Sequence, residues 1–135
     1  MISPTAQHLR IVSPAFVVEQ LPHAASPEND WVALVRGPEG LTVVRAARPA
    51  DAEERWIGFY GGATAHGLDV PGMLAAIVNP LAAAAIPVFV ASTSHADLVL
   101  VPQHRERQAV IALKEAGHQV EGGDGEPGEP FWSQH

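Results

Sequence analysis

Apolar and polar positions follow two different periods along the chain, and the change falls near its middle. Residues 16–21 are extended and largely apolar after a break at Pro14. Residues 22–30 hold two prolines and several polar side chains, which suits a loop or a single helical turn. Residues 31–36 and 41–46 flank Gly37-Pro38-Glu39-Gly40, two strands joined by turn residues. A polar connector at 48–54 follows. Then Trp56, Gly58 and Tyr60 alternate with Ile57 and Phe59, the two-residue period of a strand with two distinct faces.

From residue 69 the period lengthens. Asp69 is placed to cap a helix with Pro71 and Gly72 in its first turn, where a proline forfeits no intrahelical hydrogen bond. Leu74, Ile77, Leu81 and Ala85 then recur at helical spacing as one apolar stripe. Pro80 lies inside that stripe and predicts a kink, with loss of the bond to the Ala76 carbonyl. Residues 86–91 predict a strand, Ser92 to Ala96 a turn, and 97–101 the strand's hairpin partner. Pro102 opens a second helix over 103–116, with Ala109, Leu113 and Ala116 inward, and Gly117 stops it. Residues 118–121 complete the order with a short strand.

The order from Trp56 onward is β-α-β-β-α-β, the split βαβ or ferredoxin-like plan of the α+β class. It predicts an antiparallel sheet with two helices on one face. The expected division is a smaller, mostly β lobe at 1–55, the ferredoxin-like unit at 56–121 and a disordered acidic tail at 122–135, whose Phe131-Trp132 offers an apolar docking point. Ile86, Val88 and Val90 alternate with Phe89 and Ala91, so both sheet faces are apolar at this strand. The face without helices therefore needs a cover, from the N-terminal strands or from a second copy.

Charge and composition narrow the function. The 135 residues carry 8 basic and 15 acidic side chains, a formal net charge of −7, which argues against a nucleic-acid partner. There is no cysteine, so disulfides, thiol nucleophiles and thiolate metal sites are excluded. Residues 70–91 hold no charge, but five proline, glycine and asparagine breaks fit a helix and a strand better than a membrane span. With no apolar leader after Met1, the expected compartment is the cytoplasm. The seven histidines form no His-x3-His pair, and no metal site is expected. Ser94, His95 and Asp97 lie too close along one extended segment to form a catalytic triad. No nucleophile elbow, phosphate loop or dinucleotide fingerprint is present, so no catalytic residue and no cofactor is expected.

Asp69-Val70-Pro71-Gly72-Met73-Leu74 resembles the helix-opening motif of ACT domains. The longer run from Gly72 to Ala82, then Ala85 to Phe89, Ser92-Thr93 and Asp97 to Val101, resembles a narrower branch. That branch holds small tandem-ACT proteins similar to the eukaryotic cytosolic arginine sensors and to the regulatory lobes of aspartate kinases. On this resemblance the N-terminal lobe is a reduced ACT-like copy. The resemblance implies a non-catalytic regulatory protein, an allosteric sensor that binds an amino acid or similar metabolite between ACT lobes and signals through oligomeric packing. It places the ligand loop on Val70, Gly72, Met73 and Leu74, and the facing hairpin signature on Ser92, Thr93 and Asp97. The chain departs from the branch at Ser94, where an aromatic is usual, and at Ala96, where a threonine is usual.

A physical case stands beside the resemblance. The amides at a helix start attract a carboxylate, Gly72 leaves the backbone approachable, and Asp97 can balance an ammonium or guanidinium group. Plainer roles compete: Asp69 as an ordinary cap, Asp97 in a local backbone bond, Ser92 and Thr93 as turn formers, and the loop at Gly61-Gly62 to His66-Gly67 as surface rather than lid. Two other functions compete as well. One is a ligand-free ACT-like module for dimerisation or partner docking; the other is a small enzyme on the same scaffold, which a convergent acid–base pair would mark.

Overall fold

The computed structural model describes residues 5–61, 71–122 and 130–133. In chain order the elements are β1 (His8–Leu21), β2 (Trp31–Gly37), β3 (Gly40–Ala46), β4 (Trp56–Gly61), α1 (Met73–Ala83), β5 (Phe89–Val90), β6 (Asp97–Pro102), α2 (Glu106–Glu115) and β7 (Gln119–Glu121). The strands form one sheet ordered β2-β3-β1-β4-β6-β5, with β7 attached to β1. The α+β class and the β-α-β-β-α-β order from Trp56 onward are as expected.

β1 is longer than its sequence pattern predicts. It begins at His8, well before Phe16, and runs past Pro14. A register shift against β4 between Val12 and Phe16 leaves the proline outside the regular ladder, where its missing N–H costs no bond. Its first half lies between two partners: antiparallel β4, with Arg10 opposite Tyr60, and parallel β7, with Leu9 opposite Val120. Its second half pairs with β3, from Phe16 opposite Ala46 to Leu21 opposite Leu41. β2 and β3 form the expected hairpin, closed by Gly37 opposite Gly40.

The two faces of the sheet carry separate cores. On the helical face Leu9, Ile57, Phe59, Val99 and Val101 pack with Ile77, Leu81, Ala109 and Leu113 of the helices. On the other face Val12, Phe16, Val44, Leu98 and Leu100 cluster, and Phe131 of the C-terminal turn packs against them. The alternation expected at residues 86–91 sorts as predicted, with Ile86, Val88 and Val90 in the first core and Phe89 and Ala91 in the second. Only Phe89–Val90 pairs as strand, because Ile86 is used to close α1.

α1 differs from expectation at both ends. It starts at Met73, with Gly72 as N-cap at φ 84°, and Pro71 and Gly72 form the turn before it. The buried stripe is Met73, Ile77 and Leu81 at four-residue steps, so Leu74 stands partly exposed instead of leading the stripe. At the other end Ile86 N–H bonds the Leu81 carbonyl and Ala85 N–H bonds the Ala82 carbonyl. This paired closure normally uses glycine, yet here Ala85 takes φ 59°. The same closure ends α2 through His118 N–H to Leu113 and Gly117 N–H to Lys114, with glycine in place. Ala116, expected inward, is the exposed capping residue of α2.

Pro80 lies inside α1 and the helix runs through it. The carbonyl that it leaves without an intrahelical donor belongs to Ala76, four residues earlier. His118 fills that place: its Nε2 lies 2.7 Å from the Ala76 oxygen. Its Nδ1, 3.1 Å away, accepts the backbone N–H of Gln7, which fixes the donor proton on Nε2. One buried imidazole thus ties the start of β1, the middle of α1 and the approach to β7 together.

A buried arginine joins the N-terminal strands to the connector. Arg45 donates Nε to Glu19 at 2.8 Å, and Nη1 and Nη2 to Asp51 at 2.9 and 2.7 Å. Asp51 also accepts the backbone N–H of Arg48. These bonds hold the Asp51 carboxyl well below the usual carboxylate range and raise the Arg45 guanidinium above its own.

Candidate functional site

The sequence-predicted residues fall into two groups at one end of the sheet. Leu9, Gly61 and Asp97 stand abreast on β1, β4 and β6. With adjacent strands ~4.8 Å apart, Asp97 lies about 10 Å from Leu9 across the sheet. The tip of α1 is fixed beside β1, because the Gln7 side-chain amide donates to the Met73 carbonyl at 2.7 Å. The helix start and Asp97 thus belong to the same end of the sheet.

Each group has its own local chemistry. Gly72 is exposed, has no side-chain cap bond, and has open space where a Cβ would stand. No acidic residue occupies the first turn of α1, so its amides keep their partial positive charge. Met73 turns its side chain into the core and Leu74 faces outward. Val70, with Asp69 and the loop at 62–68, lies outside the described residues.

In the hairpin, the Ser92 hydroxyl donates to Asp97 Oδ1 at 2.6 Å. Thr93 Oγ1 donates to the Ala96 carbonyl at 3.2 Å and accepts the N–H groups of His95 and Ala96, both at 3.1 Å. Thr93 therefore shapes the turn. Ser94 Oγ meets His95 Nδ1 at 3.1 Å, while Asp97 bonds Ser92 instead of His95, so these three side chains do not form a relay. Among the described residues no cluster of three His, Asp or Glu side chains could hold a metal. No described helix is long and apolar enough to cross a membrane.

A second concavity opens on the sheet face away from the helices. Its floor is Arg10 and Tyr60, cross-strand neighbours on β1 and β4, and Tyr60 OH lies 3.3 Å from Thr93 Oγ1. Its walls are Asn29, Trp31 and Val32 on one side and Phe131-Trp132 on the other, around about 690 Å³. Phe131 is held by edge contact with Phe16 at 6.2 Å and by a tilted contact with Tyr60 at 5.3 Å. A first strand that begins at Phe16 hides Arg10. The alternation of His8, Arg10 and Val12 against Leu9 and Ile11 is the sequence signal that reveals it.

No curated protein matches the chain in sequence. A protein from Agobacterium tumefaciens shares the fold with a TM-score of 0.77 at 19% identity, over 92% of this chain and 98% of that one. A Vibrio cholerae protein of unknown function, described as a possible transport protein, has a TM-score of 0.64 at 22% identity, over 78% of this chain and 85% of that one. An aspartate kinase from Clostridium acetobutylicum, described as an allosteric enzyme, has a TM-score of 0.60 at 10% identity, over 78% of this chain and 34% of the kinase. These likenesses are of fold. Residues 51–115, from the Arg45 clamp to the end of α2, match the family model of the ACT domain.

Proposed function

We propose that this chain is a non-catalytic, ACT-type regulatory protein that binds an amino-acid-like small molecule and passes the signal on as a homo-oligomer in the cytoplasm. The observation that carries this reading is the match of residues 51–115 to the ACT domain. The fold shared with an allosteric aspartate kinase supports it. The ligand site we assign is the opening of α1, Val70, Gly72, Met73 and Leu74, with Ser92, Thr93 and Asp97 of the hairpin. Uncapped amides at Gly72 suit a carboxylate, and Asp97, held in place by Ser92, suits an ammonium group. Residues 1–55 act as the reduced lobe, 56–121 as the ligand-responsive unit and 122–135 as the tail.

Thermal-shift and calorimetric titration with the twenty amino acids tests this. A ligand present at a hundredfold excess over its Kd stabilises by ~2.7 kcal/mol, a shift of about 10 °C for a domain of this size. Asp97→Ala is expected to abolish the shift while leaving the unliganded melting temperature near that of the native chain. No response to any amino acid refutes the assignment. A second reading, a ligand-free interaction module, draws on Trp31, Leu34 and Val35, which are exposed on the edge strand β2. A stable dimer that responds to no amino acid, and that is lost on Val35→Lys, would establish it instead.

A further inference from the structure

The open-face concavity borders the hairpin at Thr93 but has a chemistry of its own. We infer that it is a second ligand site, for an aromatic carboxylic acid without a free ammonium group. Its location, charge and walls all point there.

Arg10 supplies the recognition. Among the described residues its guanidinium makes no ion pair or side-chain hydrogen bond, although it stands on a central strand. Glu121, its cross-strand neighbour on β7, is paired with His8 instead. A free guanidinium beside Tyr60 offers a planar fork of N–H donors to a carboxylate.

The walls select the rest of the ligand. Trp31 and Trp132 are each about two-fifths exposed and border the same cavity. Trp132 stands edge-on to Phe131 at 5.6 Å. Large aromatic surfaces held open in this way accept a flat apolar ring by stacking or edge contact. A volume of about 690 Å³ is ample for one such ring with a short acid chain. Among the described residues no aspartate or glutamate lines the cavity. A cation would meet Arg10 uncompensated, which argues against a quaternary-ammonium cage, and the ammonium of a zwitterion would find no partner. The site therefore prefers the acid to the amino acid. In this it is opposite to the Asp97 site.

One wall arrives late in the chain. Phe131-Trp132 is joined to the fold by its ring contacts with Phe16 and Tyr60, so a bound ring that stacks on Trp132 also fastens the C-terminal turn to the sheet. Occupancy of the site would then be readable at the tail.

The test uses the full chain and 3-phenylpropionate, with phenethylamine and L-phenylalanine as matched probes. The indole N–H signals of the three tryptophans are followed by NMR during each titration. Saturable shifts of Trp31 and Trp132 by 3-phenylpropionate are expected, with at least tenfold weaker binding of the other two. Arg10→Met is expected to weaken the acid at least tenfold, Arg10→Lys less, and Asp97→Ala not at all. Since Arg10 is exposed and has no partner among the described residues, its variants are expected to keep the native melting temperature. No saturable shift at millimolar 3-phenylpropionate, tighter binding of phenethylamine or phenylalanine, or equal binding by Arg10→Met would each overturn the assignment. Because Asp97→Ala separates the two sites, failure here leaves the amino-acid reading standing, and the reverse.

Discussion

The substitution of His118 by alanine, made with and without Pro80→Ala, isolates the device that carries α1 through its internal proline. In the native chain the Ala76 carbonyl has no Pro80 N–H to accept and takes the His118 Nε2 proton instead, at 2.7 Å. The other ring nitrogen accepts Gln7 N–H at 3.1 Å, and the residue is 5% exposed. Removing the imidazole strands one buried acceptor and one buried donor. Each unsatisfied group costs ~1 to 3 kcal/mol, and water entering the vacated space recovers part, so the expected loss is about 3 kcal/mol. With a urea dependence of ~1.5 to 2 kcal/mol per molar for a domain of this size, the midpoint should fall by about 1.5 to 2 M.

Pro80→Ala changes that arithmetic in a defined way. The substituted alanine brings back the N–H that a regular helix would aim at the Ala76 carbonyl. In the His118→Ala background it rescues one of the two stranded groups, so His118→Ala should cost ~1 kcal/mol less there than in the native background. The effect of proline on the unfolded chain is common to both arms and cancels in the cycle. The assay is equilibrium urea unfolding of the four proteins by circular dichroism, with slopes compared first. Additivity within ~0.3 kcal/mol would refute the claim that His118 stands in for the missing amide. A loss below ~1 kcal/mol for His118→Ala alone would show that neither bond matters.

Two further outcomes follow from the fold. Ala85→Gly should raise the melting temperature by about 2 to 4 °C, because alanine at φ 59° carries steric strain of ~1 to 2 kcal/mol that glycine lacks, offset by the greater freedom of glycine in the unfolded chain; an unchanged or lower melting temperature would contradict it. Arg45→Met should destabilise by about 2 to 4 kcal/mol in urea, since it leaves the Glu19 and Asp51 carboxylates facing each other without their shared cation. The pH dependence has a definite sign. Asp51 is held below its usual 3.8 in the folded state, so the unfolded chain binds the proton first; the stability it gives is complete above about pH 4 and is lost as pH falls below that value. Asp51→Asn should flatten the acid limb of a melting-temperature profile between pH 4 and 2, and an unchanged limb would show that other carboxylates govern it.

The order of elements is readable in the sequence because their periods are clean and their ends are marked. Ile57 and Phe59 join one core while Trp56 and Tyr60 join the other, and Gly117 stops α2 by the same hydrogen bonds that glycine serves at helix ends generally. The departures have physical causes. Pro14 reads as a strand boundary, but a register shift lets β1 continue past it, and the hidden half of β1 is the one that carries Arg10. Pro80 marks a missing bond to the Ala76 carbonyl, but no local pattern announces that His118, far along the chain, donates to it. Ile86 reads as strand because its apolar side chain is indeed buried; its backbone N–H is committed to α1. Met73 and Leu74 exchange roles because a stripe at steps of three or four can begin at either of two neighbours, and only packing decides. The hairpin pair Ser92 and Asp97 is legible as a pair, whereas the aromatic cavity is not, since its walls come from opposite ends of the chain.

The placement of β1 decides how such a unit can associate. β7, the last strand of the β-α-β-β-α-β series, pairs with β1, which lies between it and β4. One chain thus inserts its own N-terminal strand into the sheet, and the edge of β4 next to β1 is not open to a second copy. Among the described strands the edges are β2, β5 and β7. β5 has two residues and β7 three, and both offer little backbone for pairing. β2 has seven, and shows Leu34 and Val35 to solvent. If the proposed homo-oligomer forms by edge pairing, it should run through β2 rather than β5 or β7. That route would place the contact beside Trp31, on the wall of the aromatic cavity, where the proposed acid would lie next to the interface.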